Sequence, residues 1–168
     1  MNSFDSYAKN GADHRSSALL GQNTNAPSQF STFYISNRWY GIDVIRVQEV
    51  VRPMPITPIP LAPPYVAGLI NLRGQIVTAI NIRNLFGLSD APPDQFMNVV
   101  CKYESTMVSF QVDEIGDVIE VTVADFESLP QTIPNEIKRF LFGIYKVPGS
   151  LLSAIDIDKI NRFLNHNI

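Results

Sequence analysis

The sequence predicts an all-β fold with short helices, arranged as two small barrels packed on a shared core. Three observations point there. Short runs rich in β-branched and aromatic residues recur along most of the chain, separated by tight-turn residues. The segment Gly68 to Ile82 lies over Gly143 to Ile157 at a constant offset of 75 residues without a gap, with Gly68/Gly143, Gly74/Gly149, Ala79/Ala154, Ile80/Ile155 and Ile82/Ile157 identical. Upstream, Ile42-Asp43-Val44-Ile45 and Val47-Gln48-Glu49-Val50 are echoed by Val112-Asp113-Glu114-Ile115 and Val118-Ile119-Glu120-Val121, with one extra residue between. Finally, a unit of about 70 residues buries only about 60% of its unfolded surface and is marginal alone. Two such units are therefore expected to share one core, and strands this short suit barrels, which remove sheet edges.

The elements follow in order. Residues 1–28 are rich in Ser, Asn, Gly and Ala. They carry too little apolar surface to offset ordering entropy, so a flexible tail is expected there and a folded domain over 29–168. Phe30 to Ile35 and Arg38 to Ile42 form a hairpin across Ser36-Asn37. Val44 to Arg52 reads as a further strand. Residues 53–64 hold six of the twelve prolines. Proline fixes φ and lacks the ladder donor, so this is an extended connector outside the sheets; the alternative, an SH3 or WW ligand, fits less well between closely flanking strands. Gly68 to Leu72 and Gln75 to Asn81 pair across Arg73-Gly74, followed by a short helix, Ile82 to Phe86, ended by Gly87. Ser89 to Gln95 is a loop. Val99 to Tyr103 and Met107 to Val112 form a hairpin around Glu104-Ser105. Asp117 to Val121 is a strand, and Ala124 to Glu136 is loop or short helix broken by prolines. Phe140 to Val147 and Ser150 to Ile155 form a last hairpin, and Asp156 caps a helix over Ile157 to Leu164.

Composition narrows the function. The 168 residues carry a formal net charge of −3 with 17% charged residues, so no general basic field exists for nucleic acid or acidic lipid. No apolar stretch is long enough to cross a membrane, and Met1 to Leu20 has charges but no apolar block, so neither membrane insertion nor a signal peptide is expected and a cytoplasmic protein is. Cys101 is the one cysteine, which leaves no internal disulfide and no cysteine-based zinc site. His14 and His166 lie near the ends, where neither is held beside a nucleophile. The nine glycines never form G-x-G and none precedes lysine, so dinucleotide and phosphate-loop fingerprints are missing. No catalytic residue, cofactor or metal is expected; carboxylate-pair or single-lysine chemistry stays open in principle.

Four residue groups have the charge, aromatic or thiol character that a site would need. Asp113, Glu114 and Asp117, with Glu120 nearby, are better read as a solvated turn than as a cation site, because the spacing lacks the glycine and dense oxygen ligands of a calcium loop. Arg38-Trp39-Tyr40 resembles a base-stacking platform, but with net negative charge a hairpin whose aromatics enter the core fits better. Cys101 alternates with its neighbours in a strand as a small core residue. For Glu49 and Arg73 two readings stand: two exposed surface charges, or a bidentate pair fixing a strand to a hairpin tip.

The block Val66-Ala67-Gly68-Leu69-Ile70-Asn71-Leu72-Arg73-Gly74-Gln75-Ile76-Val77 resembles the signature segment of the CheW family, the coupling proteins of bacterial chemotaxis arrays. Tyr40 to Val50 is similar to that family's upstream motif, and Val112 to Val118 and Leu151 to Ile157 are similar too, so the resemblance covers about Phe30 to Phe163. It implies two SH3-like five-stranded β-barrels, no catalytic activity, and a bridging role between chemoreceptor cytoplasmic tips and the regulatory domain of a CheA-type histidine kinase. Position by position, it implies that Glu49 and Arg73 form a pair supporting the partner surface, that Val47 and Gly68 belong to partner surfaces, and that Val99, Val108 and Ile115 line an apolar groove for a receptor helix. Thr78 stands where proline is common, and Asn81 where aspartate is. No receiver domain follows, so a CheV-type fusion is not expected. Two alternatives remain: a coupling protein of pilus motility or another kinase pathway, and a small barrel that binds single-stranded nucleic acid.

Overall fold

The computed structural model describes residues 26–168; the tail expected over 1–28 and the placement of His14 fall almost wholly outside that range. The expected hairpins are all present. Strands β1 (Ser28–Ile35) and β2 (Arg38–Asp43) pair antiparallel. Ser36 and Asn37 both take positive φ between them, the turn whose twist matches that of the flanking strands. The predicted strand over 44–52 begins differently. Asp43 accepts from the Ile45 amide and starts a single 3-10 turn, Val44–Arg46, before β3 (Val47–Val51). Strands β4 (Val66–Leu72) and β5 (Gln75–Asn81) lead into helix α1 (Ile82–Leu85). Strands β6 (Met97–Tyr103), β7 (Thr106–Val112) and β8 (Glu114–Val121) follow. A two-residue strand β9 (Phe126–Glu127) and helix α2 (Asn135–Lys138) precede β10 (Leu141–Val147), β11 (Ser150–Ile155) and the terminal helix α3 (Ile157–Asn167).

The strands form two sheets of the same design, ordered β3-β6-β7-β5-β4 and β8-β1-β2-β11-β10-β9. Each sequence half is divided between them: β1 and β2 sit in one sheet and β3 to β5 in the other, while β6 and β7 join the latter and β8 to β11 the former. The two units are thus interleaved through the links β2–β3 and β7–β8, where the upstream sequence echo lies. The downstream repeat is exact in register. Gly68 pairs with Ala79 and Gly143 with Ala154, each next to a shift in the ladder, and β5 and β11 each make the one parallel pairing of their sheet, with β7 and β2. The repeat even reaches the connector: Thr57 bridges Leu69 as Glu127 of β9 pairs with Ile144, and Leu69 and Ile144 are 75 residues apart. The expected extended connector therefore carries one sheet-like contact. Closure of the barrels is not made by backbone pairing among the described residues; each sheet keeps two edge strands.

Three apolar clusters explain this arrangement. The largest joins residues of both sheets with α1 and α3: Phe33, Tyr40, Ile42, Val99, Phe110, Ile82, Phe86, Phe140 and Leu164 are among its members. A second, Ile70, Leu72, Val77, Ala79 and Val100 with Val51 and Met107 packed against it, draws on every strand of the five-stranded sheet. A third, Phe30, Val121, Leu152 and Ala154 with Trp39 and Tyr145 packed against it, draws on every strand of the other sheet except β9. Each sheet therefore curls around a small interior while its outer face meets the central core. Tyr40 lies in that core and Trp39 packs against the third cluster, so no base-stacking platform exists. Both helices after the repeated hairpins are capped alike: the Asn81 side chain accepts from Asn84 N and the Asp156 side chain from Lys159 N. Asparagine and aspartate are equally good N-caps, which explains why Asn81 is accommodated.

Cys101 is buried, and burial pushes its thiol up to about 12. The thiolate is the reactive form. At pH 8 the folded protein should show no titratable thiol with a chromogenic disulfide reagent, and one per chain in denaturant; a rapid native reaction would contradict this placement.

Candidate functional site

The geometry centres on the mouth of the five-stranded sheet. Strands β3 and β4 are its two edges, yet Arg73 at the β4–β5 tip donates from Nη2 to Glu49 Oε2 of β3 at 2.8 Å. The two side chains do meet, but through this one contact rather than the bidentate pair the sequence left open, and the arginine stays largely exposed. A side-chain contact thus joins the edges that no backbone ladder joins.

Two backbone devices make the meeting possible. The first is a bulge in β3. Val47 pairs with Cys101, but Glu49 pairs with Val100, which leaves Gln48 as the extra residue. Directly paired residues share a face of a sheet. Val47 therefore packs toward the central core with Cys101, whereas Glu49 shares the face of Val100, inside the curl of the sheet. Were Gln48 paired in a regular ladder, Glu49 would lie opposite Val99 and face the central core; re-aiming a side chain is a known use of bulges. The second device is the hairpin loop. Arg73 and Gly74 have φ 53° and 88°, and the Asn71 side-chain oxygen accepts from Gly74 N at 2.7 Å.

The Arg73 side chain is 79% exposed while the Glu49 side chain is 19% exposed. The carboxylate is therefore seated in the sheet and the cation offered to solvent. On the same hairpin Ile76, opposite Asn71 in the ladder, is 61% exposed. Surface ion pairs contribute under about 1 kcal/mol to folding, so this pair is a feature of the surface more than of the fold. The other hairpin lacks it: the positions 75 residues on from Arg73 and Asn71 are Pro148 and Lys146.

The remaining expected positions divide. Val47 and Ile115 are half-buried and packed against the central core, at its surface. Val99 and Val108 are interior, 0% and 6% exposed. Residues 98–101 of β6 are buried on both faces, so the groove reading does not hold for these two valines, which are core residues. Gly68 is also buried, and its role is visible. Its φ is 143°, and a Cβ there would collide with the Thr57 carbonyl oxygen and Ile56 Cγ2 of the proline-rich connector. Gly68 lets the connector cross the sheet, rather than facing a partner. Gly68→Ala should lower the melting temperature by about 2–12 °C and speed exchange of the Thr57 and Leu69 amides, which now bond at 2.9 and 2.8 Å. An unchanged melting curve would refute the close approach.

Sequence reasoning missed a buried charge cluster. Arg83 in α1 is 3% exposed. It pairs through Nη1 with Asp113 and through Nη2 with Asp90 Oδ2 at 2.6 Å, and donates to the carbonyls of Asp90 and Ala91 at 2.9 Å each. Ser36 at the β1–β2 turn donates its amide to Asp113 at 2.8 Å and its hydroxyl to Asp90 at 2.5 Å. Asp113 is therefore not a solvated turn residue, in contrast to the exposed Glu114, Asp117 and Glu120. No cluster of three metal-ligating side chains occurs among the described residues. No helix among them is long and apolar enough to cross a membrane.

Residues 29–163 match the CheW-like domain. The chain belongs to the CheW family. Over 137 residues it is 34% identical to the chemotaxis protein CheW of Treponema pallidum, covering 79% of this chain and 81% of that protein. It is 29% identical over 129 residues to CheW of Bacillus subtilis, 76% of this chain and 83% of that one. The crystal structure of the scaffolding protein TtCheW from Thermoanaerobacter tengcongensis superposes with a TM-score of 0.72 at 26% identity, covering 79% of this chain and 90% of that chain. The two interleaved sheets are the SH3-like subdomains of the CheW fold, and the chain is a chemotaxis scaffold of that family. Neither the pilus-motility nor the nucleic-acid alternative is favoured by these relatives.

Proposed function

We propose that this CheW-family chain is a non-enzymatic adaptor that couples chemoreceptor cytoplasmic tips to the regulatory domain of a CheA-type histidine kinase, in the cytoplasm beneath membrane receptor arrays. The observation that carries this reading is the Glu49–Arg73 pair: a solvent-facing cation bonded to a half-buried carboxylate, on a hairpin that also exposes Ile76. Such a surface suits docking to another folded domain, where apolar contact is combined with a few oriented charges. Glu49, Arg73 and Ile76 belong to the kinase-facing surface, Val47 to a partner surface at the rim of the central core on the other face of β3, and Ile115 to the receptor-facing one. The mechanism is positional. Rigid barrels hold kinase and receptor at fixed geometry, so a bias in the receptor reaches the kinase, and individually weak interfaces gain strength through multivalency.

The test is calorimetric titration with the kinase regulatory domain encoded nearest to this chain, beside an Arg73→Glu control. Micromolar binding that the control loses supports the reading. A folded protein that does not bind overturns its kinase arm.

A further inference from the structure

We propose that Asn71 is a positioning residue for the docking pair, its side-chain oxygen holding the hairpin loop in the left-handed form that sends the Arg73 guanidinium toward Glu49. The inference rests on the reading that the Arg73 surface docks a partner.

The internal repeat supplies the comparison. Both repeated hairpins turn in two residues, between Leu72 and Gln75 in one and between Val147 and Ser150 in the other. In the second hairpin the loop is Pro148-Gly149, with Gly149 at φ 76°. Proline holds φ near its fixed negative value, so only the second loop residue is left-handed there. In the first hairpin both are, and the first of them is an arginine at φ 53°. A residue with a side chain disfavours that conformation. The hairpin can evidently close without it, since its partner copy does so with a lysine in place of Asn71, and that lysine pairs instead with Glu127 at 2.5 Å. What the left-handed first position changes is the direction in which its side chain leaves the loop. Asn71 is exposed, touches neither charge of the pair through a hydrogen bond, and donates nothing to the core. Its contribution is the 2.7 Å bond that its side-chain oxygen accepts across the loop from the Gly74 amide, three residues on, a local side-chain-to-backbone bond of the kind asparagine favours. Unusual backbone conformations that persist because neighbours hold them are concentrated at functional positions.

The experiment compares Asn71→Ala, Asn71→Asp and Arg73→Glu by calorimetric titration with the kinase regulatory domain, alongside melting curves and hydrogen exchange at the Gly74 amide. Asn71→Ala is expected to weaken binding roughly 3- to 10-fold and to speed Gly74 exchange, while melting stays within about 4 °C of the parent. Asn71→Asp keeps the acceptor and should restore both binding and exchange to within about twofold. Parental binding by Asn71→Ala, with Arg73→Glu defective, overturns the positioning role and leaves the docking surface intact. Equal losses in the alanine and aspartate variants also overturn it. Parental binding by Arg73→Glu overturns the docking surface and the positioning role together.

Discussion

Replacing Arg83 with methionine should lower the melting temperature by roughly 6–20 °C and reduce recovery of folded protein. The guanidinium joins four segments from both sheets: the β1–β2 turn through Ser36, helix α1, the loop at Asp90 and Ala91, and the β7–β8 link at Asp113. Removing one partner of a buried ion pair costs about 3–5 kcal/mol because the other charge is left without compensation. Here the remaining charge is Asp113, whose Oδ1 is already buried without a hydrogen-bond partner. The positive-φ Ser36-Asn37 turn would lose its anchor as well. Lysine should not rescue, since one ammonium cannot reproduce a fork that serves two carboxylates and two carbonyls. Adding Asp113→Asn to Arg83→Met should recover a large part of the loss, because the two residues are coupled. Thermal or urea unfolding of the single and double variants decides the matter, and a single-variant loss below about 1 kcal/mol would show that the cluster is dispensable. Asp90 adds a sign that can be checked. The Ser36 hydroxyl first, then Arg83, holds its carboxyl below the ordinary 3.8. A depressed carboxyl stabilises the fold at pH values above its unfolded value, and the benefit is lost as the pH falls below 3.8 through the folded value. Asp90→Asn should therefore flatten the acid limb of the stability curve.

Arg73→Glu should reduce affinity for the kinase regulatory domain by at least about tenfold and abolish coupling of receptor stimulus to kinase output, with little change in melting. The two effects separate because the arginine is largely exposed while the carboxylate it seats is not. The fold loses a surface pair of small worth. The docking surface has its charge inverted and acquires a second carboxylate beside Glu49, and like charges brought together at an interface are strongly unfavourable. Arg73→Lys is an instructive intermediate, retaining the charge but not the planar fork. Calorimetry on the isolated domains and a receptor-coupled kinase assay give the two readouts. Parental affinity in Arg73→Glu would remove this hairpin from the kinase surface. A collapse of the melting curve would instead show that the pair is structural.

Much of the fold is legible in the sequence because its cues are local. Turn residues with positive φ sit where the hairpins turn, at Ser36-Asn37, Arg73-Gly74 and Glu104. Asn81 and Asp156 cap the two helices that end the repeated units, and the repeat at offset 75 reproduces the ladder register residue for residue. The family is legible for the same reason, since its signature is a contiguous hairpin. The site is only partly legible. Glu49 and Arg73 stand out as charges in otherwise apolar or turn contexts, but whether they meet depends on a bulge at Gln48 that no local pattern announces.

The sequence by itself determined the hairpins, the helix caps, the repeat and the family, all of which follow from short-range backbone chemistry. Tertiary structure alone decided which strands each half lends to the other sheet, and therefore which faces are covered. Alternation along a strand marks two faces without saying what lies beyond either. Strand β6 is walled on one side by the central core and on the other by its own curled sheet, so Val99, a groove position by family resemblance, is buried. Asp113 reads as a solvated acid because its partner Arg83 is 30 residues away in the chain. Gly68 is a partner-surface position by family resemblance, but Ile56 and Thr57 of the connector lie over it. In each case the deciding neighbour is brought in by tertiary packing, which the local pattern of residues does not encode.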